Sequence, residues 1–385
     1  MPIPAAERKV FPSILGYQVI LIALTTKLGL FAWAAFRFPF ERSGDTPLSI
    51  WNRWDAPHYL RIAESGYSSS GISEGRFHLI SHFPPLHPCI IAITRFLSGA
   101  SYLQAGMFVS FFFGILAAYL FARIAWAEFQ SPSIVIKSSM LFHLYPVSYF
   151  LITPYSESVF FVCVFTSFLL LRQRKHLLLT STSIACAVAT RLLAASLVPV
   201  LLVRLFQERN NMSRRFLLVG ISLPCLAMLG YIALNKIVWG NPLFFLQHVY
   251  EDPSTPRYPV FPLRETVVSL IDLAGRIQKG YVEESFLETL GWGSVLTAFV
   301  LSVSLVGAAR RLLPWEYSLY SIGYILFYSS FNWGISNARY SFGAFPVFLL
   351  LAQLRSRLSM WLLVLLFTPG LLYFSKRFVW GYWAF

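Results

Sequence analysis

Between Asn52 and Tyr67 the chain reads NRWDAPHYLRIAESGY. Arg53, Asp55, His58, Arg61 and Glu64 stand there among aromatics, just past an apolar run. Such a group can move protons: a carboxylate at Asp55 can accept the proton of an attacking hydroxyl. The same spacing has a structural use. Asp55 suits a helix N-cap with Pro57 in the first turn. Asp55, His58 and Tyr59 then share one face, at i, i+3 and i+4. Trp51, Trp54 and Tyr59 suit a membrane-interface belt. The two uses are compatible, because a capped helix holds a carboxylate still.

Further residues point to an anionic, hydroxyl-rich ligand. Arg191 interrupts an apolar run, where a charge is costly and commonly functional; a snorkelling anchor is the alternative. Arg339 and Tyr340 lie in SNARY, where a helix start is the structural alternative. SHFPPLHP, residues 81–88, places His82 and His87 in a proline-fixed turn. His78, His82 and His87 are spaced loosely for zinc. TPYSES, residues 153–158, starts a helix with Glu157 in a first turn that favours an acid. One carboxylate base, arginines able to grip a phosphate and aromatics suited to sugar faces fit group transfer from a lipid phosphate. Nothing in the pattern names the group.

The elements that must carry these residues are membrane helices. Of the 385 residues, 56% are hydrophobic and only 12% charged, half the charge of soluble domains. Apolar runs long enough to span a bilayer recur. No alternating strands suggest a β-barrel. The net charge of +14 fits basic cytoplasmic loops better than nucleic acid, which is not an expected partner. Cys163, Cys186 and Cys225 lie inside apolar runs and, like Cys89, form no CxxC pair; they read as small core residues.

Charge placement predicts the threading. Arg8 and Lys9 put the N-terminus in the cytoplasm, ahead of a signal-anchor helix over 13–36. Further helices are predicted over 102–126, 133–152 and 156–171. RQRK (172–175) and RLFQERNNMSRR (204–215) share the cytoplasmic face if the run 177–203 is a hairpin turning at Arg191. Helix seven covers 216–237, and later helices end at Arg310–Arg311, NWGISNARY, Arg355 with Arg357, and Phe374. The total is about eleven transmembrane helices. Two long outer loops, 37–101 with short amphipathic helices and 238–288, hold most of the acids. No internal repeat argues for an inverted-repeat transporter.

RWDAPHYLRIAESGY followed by HFPPLHP resembles the signature of the PIG-V mannosyltransferases, whose eukaryotic members add the second mannose to the GPI-anchor precursor. YPVSYFLITPYSESVFF (145–161), ACAVATRLLA (185–194), WGNPLFF (239–245) and SNARYSFGAFPVF (336–348) extend the resemblance in order along the chain. Pro85 and His87 depart from the Leu-Tyr flavour usual after the Phe-Pro pair. The compact chain looks like a bacterial relative, expected in the plasma membrane with the ER as the alternative.

The resemblance implies one GT-C transmembrane domain over 1–385 and an inverting transfer from polyprenyl- or dolichyl-phosphate-mannose at the outer or lumenal face. It also implies an acceptor on a glycolipid or glycan and no required cofactor, with a divalent metal left open. The family's loop-one aspartate maps to Asp55 as base. Topology adds Arg191, Arg339 and His82 as donor-phosphate ligands, and Trp54, His58, Tyr59, Glu157 and Tyr340 as acceptor or sugar contacts. The loop 238–288 is expected to cover the site. Membrane lipids and an accessory membrane subunit complete the partners. Rival readings are a lipid-linked sugar flippase, a non-catalytic subunit and a GT-C transferase of another sugar.

Overall fold

The computed structural model describes residues 10–38, 40, 44–67, 77–173, 176–208, 214–251 and 256–384. Within them the protein is helical, and the isolated antiparallel bridge Pro259–Phe331 is its β pairing. Among the described residues, five helices are long and apolar enough to cross a membrane: Ser13–Arg37, Tyr102–Phe129, Leu218–Trp239, Glu284–Ala309 and Arg357–Val379. The protein is a multi-pass membrane protein. Arg8, Lys9, Arg174, Lys175 and the middle of the second basic cluster lie outside the described residues.

The chain divides into two compact units. One comprises Phe40–Leu120 and Phe150–Pro256. Its helices are α2 (Ala56–Ser65), α3 (Leu86–Ser98), the start of α4 (Tyr102–Phe129), α6 (Glu157–Gln173), α7 (Leu177–Thr190), α8 (Leu197–Glu208), α9 (Arg214–Trp239) and α10 (Phe244–Tyr250). Helix α7 packs against both α6 and α9. Its Ser183 hydroxyl donates to the Cys163 carbonyl of α6 at 2.8 Å. The α-helix breaks at Arg191, whose backbone is extended, and resumes after a 3-10 turn over Leu192–Ser196. That interruption is where the charge pattern put a turn.

The other unit comprises Met1–Pro39, Phe121–Tyr149 and Arg257–Phe385. It holds α1 (Ser13–Arg37), α5 (Pro132–Leu144), α11 (Arg264–Gln278), α12 (Glu284–Ala309), α13 (Trp315–Tyr328), α14 (Asn337–Ser341), α15 (Pro346–Leu351) and α16 (Arg357–Val379). Its core is aromatic. Phe142 stacks on Phe342 at 4.8 Å, and Tyr145 meets Phe348 and Phe367 edge-on at 5.2 and 5.3 Å. Such pairs add about 0.5–1.5 kcal/mol beyond area burial. The Tyr145 and Ser341 hydroxyls bond at 2.7 Å inside this core.

Two predicted helices are shorter than their apolar runs. The run 133–152 ends as a helix at Leu144, with Tyr145 at ψ 139°. Pro146 follows, and its ring excludes the helical conformation from the residue before it. The helix predicted to reach Arg355 is two short pieces, α14 and α15, with Pro346 opening the second. Their apolar residues are buried in the unit's own core. Hydrophobicity reports burial without saying whether lipid or protein does the burying. Trp51, expected in an interfacial belt, is wholly buried, and Cys225, expected in the core, is exposed. The segment 238–288 is not loop throughout, since it carries α10 and α11.

Candidate functional site

Asp55 occupies the N-cap position of α2, with Pro57 in the first turn. Its carboxylate makes no capping bond. The head of the helix is fixed instead by its backbone. Trp54 is left-handed at φ 56°, a conformation that costs a non-glycine residue about 1–2 kcal/mol. The Tyr155 hydroxyl bridges that residue: it accepts the Asp55 N–H at 2.9 Å and donates to the Arg53 carbonyl at 3.0 Å. Tyr155 is fully buried. At its other end α2 stops at Gly66, with φ 69° and ψ −166°, a region only glycine enters readily.

The helix face carrying His58 and Tyr59 is covered by the segment Ser81–Phe83. The Phe83 ring lies 5.6 Å from His58, stacked, and 4.7 Å from Tyr59, edge-on. Two phenols tie this segment down by its backbone: Tyr67 donates to the Phe83 carbonyl and Tyr231 to the Ser81 carbonyl. Burial raises the Tyr67 phenol far above its ordinary value, so it stays a neutral donor. His82 follows the Ser81 anchor, its Nδ1 3.4 Å from the Ser81 hydroxyl. Tyr59 is buried, bonded through its hydroxyl to Ser156 at 2.9 Å and set edge-on to His87 at 5.0 Å.

Arg191 and Glu157, expected to serve donor phosphate and acceptor separately, form one buried ion pair, with side chains 10% and 3% exposed. The guanidinium also lies 5.7 Å over the Phe160 ring. Two opposite charges this deep need one another, because either alone would be desolvated without compensation. Tyr59 and Glu157 thus meet protein groups, while Trp54 and His58 stay partly exposed, His58 with its ring stacked on Phe83. Beside them Arg53 pairs with Asp45 at 2.5 Å. Burial alone would raise the Asp45 carboxyl, but hydrogen bonds from Arg53 and Ser49 outweigh it and hold the group low.

Arg339 and Tyr340 belong to the other unit. Arg339 is buried in α14, and Tyr340 lies 5.9 Å from Tyr328. Among the described residues, no three His, Cys, Asp or Glu side chains gather as a metal site; the His78 side chain lies outside them. Sequence reasoning missed Tyr67, Tyr155 and Tyr231. Tyr155 stands inside the TPYSES motif, but its partners are a hundred residues away.

The family described as Mannosyltransferase (PIG-V) matches residues 32–237, more than half of the chain. The protein belongs to this family. The match contains α2, Tyr155, Glu157 and Arg191, and stops before Arg339. Curated relatives include GPI alpha-1,6-mannosyltransferase 2 of Cricetulus griseus, 31% identical over 121 residues, and that of Homo sapiens, 30% identical over 121 residues. Each alignment covers 30% of this chain and 24% of the relative, so the chain matches about a quarter of their length. Among solved structures, ArnT from Cupriavidus metallidurans bound to undecaprenyl phosphate aligns with TM-score 0.47 and 14% identity, over 87% of this chain and 60% of that one. The Archaeoglobus fulgidus oligosaccharyltransferase in the apo form aligns with TM-score 0.48 and 12% identity, over 97% and 56%.

Proposed function

We propose that this PIG-V family member is an inverting mannosyltransferase of the GT-C type. It moves mannose from a polyprenyl-phosphate carrier to a hydroxyl of a glycolipid or glycan at the outer membrane face. The observation that carries this reading is the head of α2. There an acid holds the N-cap position without capping, beside a partly exposed Trp and His, on a backbone fixed from below. A carboxylate spent on capping would accept the first backbone N–H groups of the helix, and Asp55 makes no such bond.

In the reaction the acceptor oxygen attacks C1 of the mannose from the face opposite the phosphate. The C1–O bond to the phosphate breaks, and its electron pair leaves on the lipid phosphate. Asp55 takes the hydroxyl proton. The oxocarbenium-like transition state places growing charge on the phosphate, so cations near it lower the barrier. His82, in the same unit as Asp55, is the residue we assign to the phosphate. Arg191, already paired with Glu157, supports the fold around the site. Trp54 and His58 face the acceptor.

The test uses purified protein in nanodiscs with tritiated polyprenyl-phosphate-mannose and a panel of lipid extracts. Wild type should move label into a new lipid or glycan, and Asp55→Asn should not while keeping its melting temperature. Transfer at the normal rate by Asp55→Asn would sink the role of Asp55. Absence of donor binding by wild type would sink mannosyl phosphate as the donor class.

A further inference from the structure

We propose that Tyr155 is the positioning residue of the site: its hydroxyl holds Trp54 in the left-handed conformation and so aims the Asp55 carboxylate. The proposal rests on the reading of Asp55 as the base.

The Tyr155 oxygen engages the peptide groups on both sides of Trp54. It takes the N–H of Asp55 at 2.9 Å and gives its proton to the carbonyl of Arg53 at 3.0 Å. A left-handed turn at tryptophan is disfavoured by its Cβ, and backbone strain of this kind persists where the surroundings over-determine it. Here the surroundings are rigid. The Tyr155 ring is fully buried, 4.8 Å from Phe150 and 6.0 Å from Tyr59. Its own backbone is held by the Ser110 hydroxyl on its carbonyl at 3.3 Å and by its N–H on the Thr153 carbonyl at 2.6 Å. With the Asp55 peptide plane fixed at its N–H, the direction of the Asp55 Cα–Cβ bond is set by a group outside the helix. The unfilled capping role agrees with this, since a carboxylate drawn onto the helix N–H groups would face away from an acceptor.

A structural staple and an aiming device are separated by glycine. Glycine populates the left-handed region without penalty, so Trp54→Gly removes the need for the clamp while leaving Asp55 in place. The experiment measures label transfer by wild type, Tyr155→Phe, Trp54→Gly, the double variant and Asp55→Asn. Tyr155→Phe should lower kcat by about 10–100-fold, the scale of a misplaced catalytic group, with little change in the donor KM. Trp54→Gly should raise the acceptor KM. In the Trp54→Gly background the loss on removing the Tyr155 hydroxyl should shrink to about 3-fold or less, because the turn no longer resists. An equal loss of kcat in both backgrounds would overturn the proposal, as would a Tyr155→Phe enzyme with wild-type kcat. If Tyr155→Phe does not fold, the same cycle is read in melting temperature: recovery with glycine at position 54 supports the clamp, and no recovery overturns it. Full transfer by Asp55→Asn would instead refute the base itself, a result distinct from any of these.

Discussion

Breaking the Arg191–Glu157 pair is the perturbation whose outcome the structure fixes most tightly. Both side chains are nearly sealed, at 10% and 3% exposure. Exposed ion pairs contribute about 0–1 kcal/mol. A buried pair behaves differently: removing one partner strands the other charge, at about 3–5 kcal/mol. Glu157→Leu should therefore destabilise by that amount. Arg191→Met should cost the same, plus about 0.5–1 kcal/mol for the contact over Phe160 at 5.7 Å. At roughly 2–4 °C per kcal/mol, Glu157→Leu should melt about 6–20 °C and Arg191→Met about 7–24 °C below wild type in the same detergent. The double variant, with no charge left to strand, should regain most of that loss. Thermal unfolding of all four proteins gives the coupling energy directly. A double variant as unstable as the sum of the singles would refute the buried-pair reasoning. Transfer assays then separate two roles for Arg191. A stable double variant with normal transfer leaves both residues structural, whereas a stable but inactive one gives the pair a role in transfer as well.

Gly106→Ala should shift the site from behind. A Cβ there would lie 2.8 Å from Leu60 Cδ2 and 2.9 Å from Pro154 Cβ, on the segments that carry Asp55 and Tyr155; overpacking costs about 1–3 kcal/mol, so transfer and melting temperature should fall together, and unchanged values would mean that Leu60 simply yields. Tyr231→Phe and Tyr67→Phe should each lower stability by about 1 kcal/mol, read as a melting shift, because each removes one bond to the backbone over Ser81–Phe83. Gly66→Ala should destabilise the end of α2 through its φ of 69°, visible as faster hydrogen exchange in that helix. Asp45→Asn should cost less than about 1 kcal/mol at neutral pH, since both partners are about a quarter exposed. The Asp45 carboxyl is held low in the folded protein. Its small contribution is therefore present above the unfolded carboxylate value and lost as pH falls through the lower folded one, which melting curves against pH will trace.

The amino-acid sequence by itself determined the class and the family, and it singled out Asp55 as the proposed base. Long apolar runs have one low-energy environment, so α1, α4 and α16 follow from composition and length. WDAPHY fixes α2 locally, because Pro57 in the first turn and the Gly66 stop act on the residues beside them. The interruption at Arg191 is local in the same sense, a charge that an uninterrupted apolar helix would have to bury. What stood outside the sequence's reach was every choice of partner. The charge pattern could not pair Arg191 with Glu157, 34 residues apart, or bring Tyr155 to a turn a hundred residues earlier. Nor could hydrophobicity tell α14 and α15, buried in protein, from a helix facing lipid. Tertiary structure decided these because a buried polar group must find a partner wherever the packed chain offers one. That is why Tyr59 and Glu157, legible as polar residues near the site, turned inward, and why Tyr155, legible only as a motif tyrosine, became the group that holds Asp55 in place.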